Sequence, residues 1–198
     1  MTLSMPTVYF ITHPDVVIDP AVPVPDWQLS TRGRERMMRA LALPWVKGVR
    51  AVCCSTERKA RDSANILARH LHLPVTELAE LGENDRSATG YLARPEFEAQ
   101  ADEFFANPSR SVGGWERAVD AQSRVVAAVD RVLAAAVGRG DVAIVAHGGV
   151  GTLLLCHLRN DEISRKHDQP ANNGGNYFAF DIKTRQLHHG WHPIDEWP

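Results

Sequence analysis

Cysteine is scarce in this chain: there are three, and two of them, Cys53 and Cys54, are adjacent inside an apolar run. That pattern excludes a disulfide framework and the spaced pairs of a zinc site, so all three are expected to be buried thiols. An excess of one charge is also missing. With 22 basic and 24 acidic side chains and a net charge of −2, no field draws the protein to nucleic acid or to an anionic membrane. The expected partner is a small molecule. No apolar run approaches the roughly 20 residues that span a bilayer, and the N-terminus lacks the basic and apolar blocks of a signal peptide. These absences point to a soluble, cytoplasmic protein. Internal repeats and low-complexity tracts are absent too.

What is present is enough apolar material for one well-filled core. At 198 residues and 44% hydrophobic content, the chain is expected to be a single domain over residues 1–198. Strand and helix patterns alternate along it. A strand from Thr7 to His13 gives way to a proline-rich loop containing Pro20, Pro23 and Pro25. A helix then runs from about Ser30 to Leu43, with Met37, Met38 and Leu41 inward and Pro44 stopping it. The strand Val49 to Cys54 enters Ser55-Thr56, either of which can cap the next helix, while Glu57 suits its positive end. In that helix Ala60, Ala64, Leu67 and Leu71 form one apolar stripe. A short strand begins at Pro74-Val75.

From about residue 80 to 116 the pattern is irregular around a helical stretch, Phe97 to Phe105, and reads as an excursion over the site. A long helix from about Glu116 to Val137 follows, ended by Gly138 and Gly140. A further strand, a buried helix through Leu153-Leu154-Leu155 and a closing hairpin complete the chain. Gly174-Gly175-Asn176 reads as a tight turn into the last strands. The alternation predicts an α/β fold, a three-layer α/β/α sandwich with a mostly parallel central sheet.

Two of the strands end in histidine. Val8-Tyr-Phe-Ile-Thr-His13 and Val142-Ala-Ile-Val-Ala-His147 would, as parallel neighbours, carry two imidazoles into the crevice at the carboxyl ends of the strands, where open α/β sheets bind ligands. Gly148-Gly149 follows the second, so a helix N-terminus opens there with amides that suit an anion. A neutral imidazole is a competent nucleophile near neutral pH. The pair is therefore suited to handling a phosphoryl group. The remaining histidines share no helical face and form no helix-borne metal pair, and they receive no site role. Trp27 and Trp115 lie in loops that border the crevice.

Four segments make the chain resemble the histidine phosphatase superfamily in its phosphoglycerate-mutase-like branch. Phe10-Ile-Thr-His13-Pro14 stands where that family has an Arg-His-Gly signature, and Leu29-Ser-Thr-Arg-Gly33 is similar to its leucine, hydroxyl and glycine pattern. Ser55 to Ala64 is similar to its second basic motif, and Val145-Ala-His147-Gly148-Gly149 to its second histidine motif. The resemblance implies a phosphoglycerate-mutase-like fold and a phosphatase that needs no metal or cofactor. His13 would attack phosphorus to form a phosphohistidine, Glu83 in Leu81-Gly-Glu83 would protonate the leaving oxygen, and His147 would stabilise the transferring phosphoryl group.

The first motif is divergent. Thr12 replaces the family's arginine, Pro14 its glycine, and Lys59 a second arginine. Thr12, Lys59 or the adjacent Arg58, Arg86 and the amide of Gly148 are the expected phosphate contacts. Lysine is a point charge and threonine a neutral hydroxyl, whereas arginine grips phosphate with two prongs. If each lost charged contact weakens the transition state by about 1.5–3 kcal/mol, activity falls roughly ten- to a hundredfold per site. The alternatives are a weakly active or inactive relative that binds an anionic metabolite, a phosphoglycerate-type mutase, and, more remotely, a metal hydrolase using Asp15. The sequence leaves the substrate and the oligomeric state open.

Overall fold

A computed structural model describes residues 6–136, 138 and 140–196. One six-stranded sheet organises them, in the order β3-β2-β4-β1-β5-β6. The strands β1 (Thr7–Thr12), β2 (Val49–Cys54), β3 (Val75–Glu77) and β4 (Asp141–Ala146) are mutually parallel. The closing hairpin, β5 (Asn176–Asp181) and β6 (Leu187–Pro193), is added antiparallel beside β1. The expected α/β architecture with a mostly parallel sheet is therefore the observed one.

Both faces of the sheet are covered, which is why its central strands are apolar on both sides. Alternate residues of β1, β4 and β5, among them Phe10, Ile144 and Phe178, pack with α4 (Ala118–Ala136) and α5 (Gly148–Leu158) on one face. Ile11, Val145 and Tyr177 point the other way and pack with α1 (Thr31–Ala40) and α2 (Arg58–Leu71). The Phe10 and Phe178 rings stack at 5.1 Å between neighbouring strands, a contact beyond simple area burial. Cys53, Cys54 and Cys156 are all buried free thiols, as expected.

Several boundaries differ from the sequence pattern. Helix α1 stops at Ala40, and Pro44 opens a 3-10 turn instead of ending the helix. Its buried face is Gly33, Arg36, Met37 and Ala40; Met38 is exposed. Neither Ser55 nor Thr56 caps α2: its N-cap is Glu57, with no side-chain cap bond. The excursion carries α3 (Arg94–Ala106), longer than expected because Pro95 is accommodated in the first turn. Phe104, Phe105 and Trp115 from this region pack with Ala118, Ala121 and Leu153 as a separate apolar cluster. Helix α4 begins at Ala118 and is followed by Gly138 and Gly140, both at positive φ. Val137, its expected last residue, and Trp197 lie outside the described residues.

Candidate active site

The pairing of β1 with β4 places the two histidines. Their register sets Thr12 opposite Ala146, and the His13 amide continues the ladder by donating to the Ala146 carbonyl at 3.2 Å. The two imidazoles consequently emerge side by side, with ring centroids 5.2 Å apart and planes inclined at 67°.

The backbone after β1 is held by glycine. The Gly175 amide donates to the His13 carbonyl at 3.1 Å, and Gly174, at φ +78°, lies so close that a Cβ there would stand 2.3 Å from that carbonyl oxygen. The turn read from Gly174-Gly175 thus supports His13, because only glycine allows both the positive φ and the approach. Arg36, buried in α1, adds a second support that the helical pattern did not disclose. It bonds Asp15 (2.8 Å), Asp195 (2.9 Å) and the carbonyls of Asn172 and Gly175, tying the loop after His13 to the approach to β5.

His13 itself is only partly exposed. Its Nδ1–H donates to the Pro14 carbonyl at 3.0 Å, an acceptor that selects this tautomer and leaves the lone pair on Nε2. Burial pushes its pKa down to about 3, and His147 and Lys59 push in the same direction. It is a neutral imidazole at physiological pH.

His147 is fully buried. Its Nε2 lies 2.8 Å from the Ser55 hydroxyl and 3.4 Å from Glu57 Oε1, while Nδ1 has no hydrogen-bond partner among the described residues. Burial lowers its pKa against the pull of Glu57 and Glu83. Ser55 also accepts the Glu57 amide at 3.1 Å, so the residue expected as a helix cap instead links His147 to the start of α2.

Glu83 reaches the site from the loop before α3. Its carboxylate accepts the amides of Gly149 (3.0 Å) and Val150 (2.9 Å) at the start of α5 and lies 3.2 Å from Arg86. Burial would raise its pKa, but Arg86, His147 and the Gly149 amide outweigh that and hold it below the usual carboxylate range. The next two amides after Gly148 are therefore taken up here by Glu83, which does not accept the Gly148 amide expected to meet a phosphoryl group. Arg124 fixes this loop by donating to the carbonyls of Glu80, Gly82 and Glu83. Arg86 lies over the rings of Phe97 and Trp115, 4.8 and 5.0 Å from their centroids, so Trp115 acts on the site through Arg86. Trp27 donates to the Asp19 and Val22 carbonyls and packs near Tyr91.

Three expected phosphate contacts are placed otherwise. Thr12 is buried, and its hydroxyl is committed: it donates to Gln169 Oε1 at 2.8 Å and accepts the Asn176 amide at 3.0 Å. Arg58 is exposed and donates to Gln28, with no hydrogen bond or ion pair to the site among the described residues. Lys59 is buried beside the site, but its ammonium contacts Glu57 at 2.5 Å and the Val24 carbonyl at 2.8 Å. A residue missed from the sequence, Gln169, fills the space next to Gly148. A Cβ on Gly148 would stand 2.2 Å from its Nε2, so a side chain there would displace the Gln169 amide. Gln169 sits in an irregular segment, and no local pattern marks it.

Glu57 is the second missed residue. Its carboxylate meets Lys59, His147 and the Glu83 amide, the last at 2.9 Å. Burial opposes its ionisation, yet His147 and Lys59 bring its pKa down to about 2. Among the described residues, no group of three or more His, Cys, Asp or Glu is arranged to hold a metal ion.

Residues 21–186 match the model of the histidine phosphatase superfamily, branch 1. The chain belongs to that superfamily. The matched segment starts after His13, so the divergent first motif lies outside it. No curated protein sequence matches the chain. Among solved structures, a mycobacterial glucosyl-3-phosphoglycerate phosphatase with inorganic phosphate superimposes with a TM-score of 0.76 at 19% identity, covering 97% of this chain and 100% of its own. YhfR of Bacillus stearothermophilus gives 0.74 at 22% identity, covering 92% and 94%. A putative alpha-ribazole-5'-P phosphatase from Escherichia coli gives 0.66 at 17%, covering 98% and 100%. At these identities the likeness is one of fold.

Proposed function

We propose that this member of the superfamily is a phosphatase that hydrolyses a phosphate ester through a phosphorylated His13, with no metal in the reaction. The observation that carries this reading is the His13 ring. Its Nδ1 is bound to the Pro14 carbonyl, its Nε2 has no hydrogen-bond partner among the described residues, and its centroid lies 5.2 Å from that of the second imidazole. Nε2 attacks phosphorus as the bond to the ester oxygen breaks, and that oxygen takes a proton from Glu83. Water then attacks phosphorus, giving its proton to the Glu83 carboxylate; the phosphorus–nitrogen bond breaks, and phosphate and His13 are released.

In the free protein Glu83 is ionised, so the proton must be acquired as substrate binds. An incoming phosphoryl group brings negative charge beside Glu83 and competes for Arg86. Both effects raise the carboxyl's proton affinity. His147, Arg86 and the amide of Gln169 surround the place where charge develops and act as fixed donors. The test is a panel of phosphate esters assayed with the wild type, His13→Ala and Glu83→Gln, together with trapping of an acid-labile phosphoenzyme. Turnover unchanged in both variants would refute the assignment.

A second reading, a non-catalytic binder of an anionic metabolite, is favoured by one observation. Lys59 and Arg86 each contact a carboxylate already, Glu57 and Glu83. Ligand binding in calorimetry with no turnover and no phosphoenzyme would select it. The weakening of activity through Thr12 belongs to the first reading: Thr12→Arg should raise turnover, and unchanged or lower turnover in that variant would count against it. A mutase acting within a phosphoglycerate is a variant of the same chemistry, decided by a coupled assay.

A further inference from the structure

Two cations border the histidine pair, and each is matched by a carboxylate. Lys59 contacts Glu57 at 2.5 Å and Arg86 contacts Glu83 at 3.2 Å. The other nearby arginines are committed elsewhere: Arg36 to Asp15 and Asp195, Arg124 to Glu116, and Arg58 to Gln28. Thr12, at the first-motif arginine's position, is neutral. With His13 neutral, the two cations beside the pair are each balanced by a carboxylate.

Glu57 is placed where this matters most. Its carboxylate is held by Lys59 Nζ, by the Glu83 amide at 2.9 Å and, more loosely, by His147 Nε2 at 3.4 Å. Those are a cation, a backbone donor and an imidazole, the set of groups that binds phosphoryl oxygens. Lys59 is also bonded to the Val24 carbonyl and is buried, which holds its ammonium against Glu57. A resident carboxylate here repels a dianion more than a monoanion, and partial burial strengthens that repulsion.

We propose that Glu57 is a specificity-determining residue that makes the site select a phosphoryl group carrying one negative charge, as in a phosphodiester or a protonated monoester, over a doubly charged one. This rests on the phosphoryl reading of the site given above. The charged or titratable groups around Glu57 are His13 from β1, Lys59 from α2, His147 from the end of β4, Glu83 and Arg86 from the loop before α3, and, farther off, Arg124 from α4.

Binding of three probes to the full chain, measured by calorimetry, tests the proposal without requiring turnover. Dimethyl phosphate is a monoanion and sulfate a dianion over the whole range from about pH 5.5 to about pH 8, while inorganic phosphate passes from mostly one charge to mostly two. The wild type should bind dimethyl phosphate at least about tenfold more tightly than sulfate at the same pH, and phosphate more tightly at the acid end. Comparison at one pH holds the protonation of the free protein constant between the probes. Glu57→Gln keeps an acceptor for the Glu83 amide and loses only the charge; it should gain about tenfold for sulfate and erase the preference. Glu57→Asp, which retains the charge, should keep it.

Equal binding of sulfate and dimethyl phosphate by the wild type, or an unchanged ratio in Glu57→Gln with native circular dichroism, would overturn the role of Glu57 alone. Failure of all three probes to bind to any of the proteins would count against the phosphoryl site itself.

Discussion

The two histidine strands end differently. At the end of β4 the chain runs straight from a fully buried His147 into α5, through a glycine, with the helix amides capped by Glu83. At the end of β1, Pro14 turns the chain into a long loop, His13 keeps an accessible edge, and the geometry depends on distant residues: Arg36, Gly174 and Gly175. Yet the imidazoles meet, because adjacent parallel strands in register determine where both backbones exit, whatever follows them. The sheet places the rings; side chains far apart in sequence set the charge around them.

That contrast can be broken most severely at Arg36. Removing a buried guanidinium that joins Asp15 and Asp195 leaves two carboxylates without their partner, and Arg36→Ala should cost about 3–5 kcal/mol of stability in urea unfolding. A loss below 1 kcal/mol would mean that the β1 exit holds itself in place. Next, His13→Ala should lower phosphatase turnover by about a thousandfold or more, with a native circular dichroism spectrum. Glu83→Gln should lower it by about a hundredfold. Because Glu83 also caps α5, this variant alone should show a small loss in melting temperature, and equal stability in both variants would weaken the capping argument.

The pH dependence sharpens the comparison at the β1 end. A histidine whose pKa falls from 6.5 to about 3 on folding binds its proton more readily in the unfolded chain. Stability should therefore decline as pH drops from about 6.5 toward 3, and His13→Asn should flatten that decline. A wild-type melting temperature that does not move across this window would contradict the partly buried, neutral His13. The smallest effect is expected at Ser30, whose hydroxyl accepts the Gly33 amide to cap α1. Ser30→Ala should cost about 1 kcal/mol, measurable by thermal unfolding and without effect on the spacing of the rings.

Some of the site was legible because it depends on local pattern. An apolar run ending in histidine followed by two glycines reads as a strand entering a helix, whereas Glu83 in Leu81-Gly-Glu83 was indicated only by the family resemblance. Other parts were legible in kind but not in role. Gly174-Gly175 reads as a turn, but that it supports His13 follows from the antiparallel docking of β5 on β1. Lys59 reads as a basic partner, yet its charge is already matched by Glu57, which the same segment presents as a helix-dipole residue. Arg36 was hidden because a charged residue in a helix is ordinarily solvated. Gln169 was hidden because an irregular segment does not show which strand it crosses.

The order of strands and helices, the apolar faces of the helices and the two strand-end histidines were written into the sequence by itself, since periodicity and turn chemistry act between near neighbours. Only the tertiary structure decided which cation meets which carboxylate, that Thr12 turns to Gln169, and that Glu57 lies among Lys59, His147 and the Glu83 amide. Electrostatic balance in a buried site is a sum over groups brought together by the fold, and no stretch of chain carries that sum.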